Sequence, residues 1–309
     1  MQGLSVVITG ASSGIGRAAA LAFAARGASV TLASRRGGLL AELARECADA
    51  GGKAQYVETD VTDPSAMRAL ALAARRRYGG IDVWVNNAGV GAVGRFTETP
   101  VEAHDQVIRT NLLGYLHGAH AVLPVFQQQG HGVLINVISF GAFIGTPYAA
   151  SYTASKFGLR GLSESLRAEL QGYPGIRICD VHPGFVDTPG VQHAANYTGH
   201  ELHPSPPDRP EEVAAAIVGV ALHPRNKTSV GALAKLAPAA YAMAPALGRW
   251  MMARGLGYGL SRTPAQAPTS GALFAPMKDR PATGVTWSFG ALALGVAALA
   301  AGLALRERR

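Results

Sequence analysis

The sequence predicts an α/β protein: a Rossmann-type, doubly wound parallel sheet in three αβα layers, with a C-terminal helical extension. Three observations predict it. Short β-branched runs alternate with Ala/Leu/Arg-rich stretches of helical period. A glycine-rich loop joins the first such run to the first helical stretch. Finally, the 309 residues are 48% hydrophobic and only 16% charged, which supplies a sizeable core and excludes disorder as the dominant state.

The elements follow in order. Residues 4–9, 29–34, 54–59, 81–86, 132–139 and 176–182 read as strands, and 14–26, 38–50, 64–78, 100–129 and 152–172 as helices. Such alternation gives βαβ units, and right-handed crossovers then place helices on both sheet faces. Asp63-Pro64 starts one helix well, since Asp caps and Pro fits the first turn. Residues 187–210 hold five prolines and three histidines and read as a long functional loop. Glu211–Leu222 reads as a helix, and Thr228-Ser229-Val230-Gly231 as a further strand closing a catalytic domain over 1–230. An apolar helical extension follows over 231–260, broken at Pro238 and Pro245, and then a Pro-rich linker over 261–286.

Charge and cysteines bound the class. The net charge of +8 sets 23 Arg and 5 Lys against 20 Asp and Glu, and the basic residues are scattered along the chain, so nucleic acid is not expected as a partner. Cys47 and Cys179 cannot build a disulfide framework, which suits a reducing compartment. Met1-Gln2-Gly3 leads straight into the first strand, which reads as no signal peptide and a cytoplasmic catalytic domain. His117-x-x-His120 and His200-x-x-His203 lack a third ligand at zinc-like spacing, and no metal is expected.

The first chemical motif is Thr9-Gly10-Ala11-Ser12-Ser13-Gly14-Ile15-Gly16. Between a strand and a helix, Gly10 permits a tight turn, Gly14 close approach to a pyrophosphate, and Gly16 close helix packing. The helix N-terminus offers unpaired N–H groups to phosphate. Arg35 lies nineteen residues after Gly16, where a dinucleotide fold reads the ribose. Asp or Glu there suits a 2′-hydroxyl, whereas Arg, with Arg36 beside it, suits the 2′-phosphate of NADP(H). Tyr152 and Lys156 stand four apart on one helix face. Ser139, Asn111 and Asn86-Asn87-Ala88-Gly89 precede them, and the strand ends fall on the carboxyl edge where α/β sheets bind ligands.

Together these residues, with Pro183-Gly184-Phe185-Val186-Asp187-Thr188-Pro189, resemble the short-chain dehydrogenase/reductase family over about residues 3 to 225. The resemblance implies hydride transfer between nicotinamide and an alcohol or carbonyl. It makes Tyr152 the acid/base, Lys156 the ribose ligand that assists it, Ser139 the holder of the substrate oxygen, and Asn111 the support of a proton relay. It places Ser12, Ser13, Ile15, Asn87, Ala88, Gly89, Pro183, Gly184 and Val186 beside the cofactor, Asp60-Val61 at the adenine, and Thr188 at the carboxamide. In chemical terms, a Tyr titrating near pH 10 is a poor base, and a nearby Lys⁺ is expected to lower its pKa.

Phe140, Phe143, Tyr148, Phe185, Val186, Val191 and Tyr197 are candidate walls of a pocket for a small hydrophobic carbonyl or alcohol. Met243, Trp250, Met251 and Met252 read as core or interface. A non-catalytic nucleotide-binding or scaffolding protein is the alternative, and epimerisation or dehydration a third reading. The two long helices suggest a homodimer. Trp287–Leu305, nineteen residues without a charge and closed by Arg306, Arg308 and Arg309, reads as a transmembrane or membrane-associated helix anchoring the protein.

Overall fold

The computed structural model describes residues 1–186, 188, 193–202 and 208–277. Seven parallel strands form the sheet: β1 (Ser5–Thr9), β2 (Ser29–Ser34), β3 (Lys53–Glu58), β4 (Val83–Asn86), β6 (Gly132–Val137), β7 (Ile176–Pro183) and β9 (Lys227–Val230). Their order is β3-β2-β1-β4-β6-β7-β9, so the chain winds outward from β1 to one edge and then from β4 to the other. A separate two-stranded pair joins β5 (Ala92–Val93) to β8 (Ala195–Asn196).

Period-two alternation sorts the strand residues between two cores. Val6, Ile8, Val83, Val85, Ile135 and Cys179 face α1 (Gly14–Ala24), α2 (Gly37–Asp49) and α7 (Pro210–Leu222). Their neighbours Val7, Trp84, Leu134 and Ile178 face α3 (Pro64–Tyr78) and α5 (Gly114–Gln129). Asp63 caps α3 as expected, its carboxylate accepting from Ser65 N at 2.7 Å. Burial on both faces explains why these strands read as continuous apolar runs.

The helix expected over 100–129 is three pieces: α4 (Val101–Ile108), a π-helical turn (Arg109–Leu113) and α5. The remaining crossover helix is α6 (Ala150–Glu169). The long loop after β7 carries β8, whose Ala195 and Asn196 pair in parallel with Ala92 and Val93. Beyond β9 come α8 (Ala232–Met243) and α9 (Pro245–Leu260). Pro238 lies inside α8 rather than breaking it, whereas Pro245 opens α9. None of the α9 residues is buried, and Met243 and Trp250 are exposed, so the core half of the core-or-interface reading is corrected for these two, while Met252 packs on the buried cluster of Phe140 and Ile144.

Two further expectations are corrected. The segment read as a linker packs instead: Thr269 pairs with Asn196, Ala265 with His200, and Leu273 is buried. Its remainder, 278–286, lies outside the described residues. A membrane-spanning helix is not supported, because no helix among the described residues is long and apolar enough to cross a membrane. Residues 287–305, which carried that reading, lie outside them, as do Asp187, Pro189, Val191 and His203.

Candidate active site

The carboxyl ends of β1, β2, β4, β6 and β7 open into one cavity of about 870 Å³, near the upper end of ligand-pocket sizes. Its floor and walls gather Gly10, Ser12, Ser13, Gly14, Ile15, Arg35, Asp60, Val61, Asn87, Ala88, Gly89, Ser139, Tyr152, Lys156, Pro183, Gly184, Val186 and Thr188. Residues up to 178 positions apart in sequence thus meet because the doubly wound order brings all these strand ends to one edge.

The glycine loop has the shape a dinucleotide needs. Gly10 has φ +65°, and a Cβ there would stand 2.8 Å from Ala88 Cα. At Gly16 a Cβ would collide with the Gly10 carbonyl, so this glycine serves packing and lies behind the cavity wall. Thr9, which sequence reasoning passed over, ties the two loops together. Its Oγ1 accepts from Asn87 N at 3.0 Å and Ala88 N at 3.2 Å, while Asn87 Nδ2 donates to Thr9 O at 3.0 Å. The open helix N-terminus beside these backbone groups fits a pyrophosphate.

The two arginines after β2 diverge. Arg36 bends back over the loop, Nη2 donating to Ser12 Oγ at 2.9 Å and Ser13 Oγ at 2.7 Å. Arg35 points the other way, toward residues 272–274.

At the other end of the cavity, Ser139 and Tyr152 both line the wall. Ser139 Oγ accepts from Gly141 N at 3.1 Å. One helical turn on, Lys156 is 4% exposed, with Nζ 3.4 Å from Val137 O and 5.5 Å from the centroid of the Tyr152 ring. Burial dominates the electrostatics. It raises Tyr152 above the usual tyrosine range, with the Ser139 hydroxyl pulling the other way, and pushes Lys156 down to about 7. The expected lowering of Tyr152 by a neighbouring Lys⁺ is therefore corrected: burial raises Tyr152, and a lysine at about 7 is half charged near neutrality.

Asn111 stands in the π-helical turn and is fully buried. Its side chain bonds both backbone groups of Val90 and donates to Ser155 Oγ at 3.4 Å. Of the proposed wall residues, Phe140, Tyr148, Phe185 and Val186 line the cavity. Phe143 lies under Arg160 and Lys227, and Tyr197 packs against the Ala92 and Leu273 cluster outside the cavity. The structure adds Leu202 from the loop and Met252, Leu256 and Leu260 from α9. None of these four was marked as a wall residue: Met252 read as core or interface, and only the return of the C-terminal helices brings it, Leu256 and Leu260 to the site.

The family model for short chain dehydrogenases matches residues 5–197, from β1 through Tyr152 and Lys156 to β8. The chain belongs to the short chain dehydrogenase family. An oxidoreductase of Bacillus subtilis, YxnA, is 36% identical over 239 residues, which are 74% of this chain and 66% of that protein. The chain thus spans just under two thirds of that relative. A 1-deoxy-11-beta-hydroxypentalenate dehydrogenase of Streptomyces exfoliatus is 40% identical over 195 residues, 62% of this chain and 70% of its own length. Among solved structures, an alcohol dehydrogenase of the archaeon Thermococcus sibiricus, complexed with 5-hydroxy-NADP, superposes with TM-score 0.64 at 29% identity. That superposition covers 72% of this chain and 94% of the archaeal one.

Proposed function

We propose that the chain is an NADP(H)-dependent oxidoreductase acting on a hydrophobic alcohol or carbonyl, with Tyr152 as the acid/base. The observation that carries this reading is that Ser139, Tyr152 and Lys156 line the same cavity as the glycine loop, with Lys156 Nζ 5.5 Å from the centroid of the Tyr152 ring. Bound nicotinamide supplies or accepts the hydride. Everything else falls to the chain. In the reducing direction, the substrate oxygen gains negative charge as its carbon gains hydride. The Tyr152 hydroxyl donates its proton to that oxygen, and the Ser139 hydroxyl holds the oxygen in place. In the oxidising direction the charged form of Lys156, half populated near neutrality, and a positively charged ring favour the tyrosinate that must take the proton back. Burial of Lys156 and partial burial of Tyr152 limit the access of bulk water to the transfer.

The cofactor half rests on the absence of an acid at the end of β2 and on Arg35 and Arg36 there. The greasy walls from Phe140, Phe185, Leu202, Met252 and Leu256 support an apolar substrate. Exposed Val101, Leu113, Leu116 and Phe157 on α4, the π-turn, α5 and α6 support pairing of two subunits through those helices. A panel of apolar aldehydes and ketones with NADPH or NADH, read by loss of cofactor absorbance, tests the activity. Turnover with NADPH preferred is expected. Equal use of the two cofactors would overturn the NADP(H) assignment, and no turnover of any carbonyl or alcohol would overturn the catalytic one.

A further inference from the structure

Residues 263–277 leave the end of α9 and lie along the loop that follows β7. Glu201 N donates to Pro264 O at 2.9 Å, and Gln266 N to Gly199 O at 2.9 Å. Asn196 and Thr269 exchange backbone hydrogen bonds of 2.8 and 2.9 Å, and Ala272 N donates to His193 O at 2.8 Å. Leu273 then plugs into the small cluster of Ala92, Ala103, Val107 and Ala195, against which Tyr152 also packs. At 1% exposure it is the apolar anchor of the strap.

The far end of the strap meets the nucleotide end of the cavity. Arg35 Nη2 donates to Ala272 O at 3.0 Å, and Arg35 Nη1 to Phe274 O at 3.2 Å. Ala272, Pro276 and Met277 line the cavity alongside Ser12 and Arg35. A guanidinium has five N–H donors. Two are committed to the strap, which fixes the plane of the fork, and the remaining three are those a phosphate would engage. The carbonyls carry no net charge, so they orient the guanidinium without neutralising it. An arginine already held in one rotamer binds its ligand with less loss of freedom than one waving in solvent.

We propose that residues 263–277 are a wall of the nucleotide site that positions Arg35 for the 2′-phosphate, so that docking of this strap and binding of NADPH stabilise each other. The proposal rests on the NADP(H) reading above. Arg35 is then the contact residue, and the strap acts through it. Linkage requires the coupling to be reciprocal: a docked strap tightens NADPH, and NADPH tightens the strap by the same factor.

The test uses the full-length chain and its Leu273→Asp, Leu273→Ala and Arg35→Ala variants, and the double variant of Arg35→Ala with Leu273→Ala. Dissociation constants for NADPH and NADH are read by calorimetry, and hydrogen exchange of the Thr269 and Ala272 amides is followed with and without each cofactor. Leu273→Asp is expected to weaken NADPH by about tenfold and NADH by less than about twofold, a change of ~1.4 kcal/mol confined to one cofactor. Leu273→Ala, which keeps the fold if the aspartate does not, shows the same selectivity to a smaller degree. It adds nothing once Arg35 is gone. NADPH, and not NADH, slows exchange at Ala272. If Arg35→Ala weakens NADPH while both Leu273 variants leave the NADPH-to-NADH ratio unchanged, or if either tightens NADPH, the strap inference fails and the cofactor reading stands. If the unaltered protein does not discriminate and Arg35→Ala changes nothing, the cofactor reading itself has failed, and the strap proposal with it.

Discussion

Asn111 and Val90 exchange two hydrogen bonds: Asn111 Nδ2 donates to Val90 O at 2.9 Å, and Val90 N donates to Asn111 Oδ1 at 2.8 Å. The side chain thus completes the backbone of the loop after Gly89 as another strand would. Removing it strands two backbone groups, at about 1–3 kcal/mol for each buried group left unpaired. Asn111→Ala is expected to lower both denaturation midpoint and turnover. A pure relay role would cut turnover and leave the midpoint where it was. Equilibrium unfolding beside steady-state kinetics separates the two.

Tyr152→Phe keeps the ring and removes the transferable proton. Turnover is expected to fall by at least about a hundredfold, the scale of general acid–base catalysis, with NADPH affinity held within a few-fold. Near-normal turnover would remove Tyr152 from the chemistry.

Two buried bases give stability a definite pH profile. Burial holds His182 at about 4 against an ordinary 6.5, helped by the positive charges of Lys227, Arg167 and Arg160 and opposed by its hydrogen bond to Ser139 O. Lys156 is held at about 7 against 10.5. In each interval the unfolded chain binds the proton that the folded one refuses, so unfolding free energy rises with pH. The rise is expected from about 4 to 6.5 for His182 and from about 7 to 10.5 for Lys156. Denaturant titrations across pH check it, since His182→Gln flattens the first limb and Lys156→Met the second. A Lys156→Met protein whose stability still climbs between pH 7 and 10 would contradict the neutral lysine.

Asp180 sits 2% exposed at the centre of β7, where Ser163 Oγ donates at 2.6 Å and Arg167 Nη2 at 2.7 Å. Burial raises its pKa, and these partners pull against that rise. Arg167→Ala leaves a buried carboxylate without its cation, and a loss of about 3–5 kcal/mol is expected in equilibrium unfolding. Arg167→Ala combined with Asp180→Asn is expected to recover part of that loss, because the charge needing a partner is gone.

These cases also mark what the sequence could and could not disclose. Gly10 was legible because its constraint is local: a left-handed turn between strand and helix. Tyr152 and Lys156 were legible because four residues make one helical turn. The chain of buried amides was not. Asn86 Nδ2 donates to Asn136 Oδ1 at 3.0 Å, and Asn136 Nδ2 to Ser163 Oγ at 3.0 Å, so the line continues to Asp180 across three strands. Each of these reads in sequence as a polar residue near a strand end or on a helix. Only their register, Asn86 opposite Asn136 opposite Asp180, makes them one network. The π-turn at Arg109–Leu113 was invisible for another reason, since its flanking residues keep ordinary helical dihedrals and the apolar period barely registers one extra residue. Arg35 was found by its spacing from Gly16, but its direction is set by carbonyls more than two hundred residues away.

The two cysteines make the molecule its own stopwatch. Cys47 on α2 and Cys179 on β7 lie in the same core, under opposite ends of the sheet's first face, and burial pushes both thiols up to about 11. A thiol reagent in neutral buffer meets neither until the protein opens. Mass shifts from a timed pulse of such a reagent therefore record how often each end comes apart. Single labelling at Cys47 would register loosening of the early β1–β3 half alone, and simultaneous double labelling a collapse of the whole sheet.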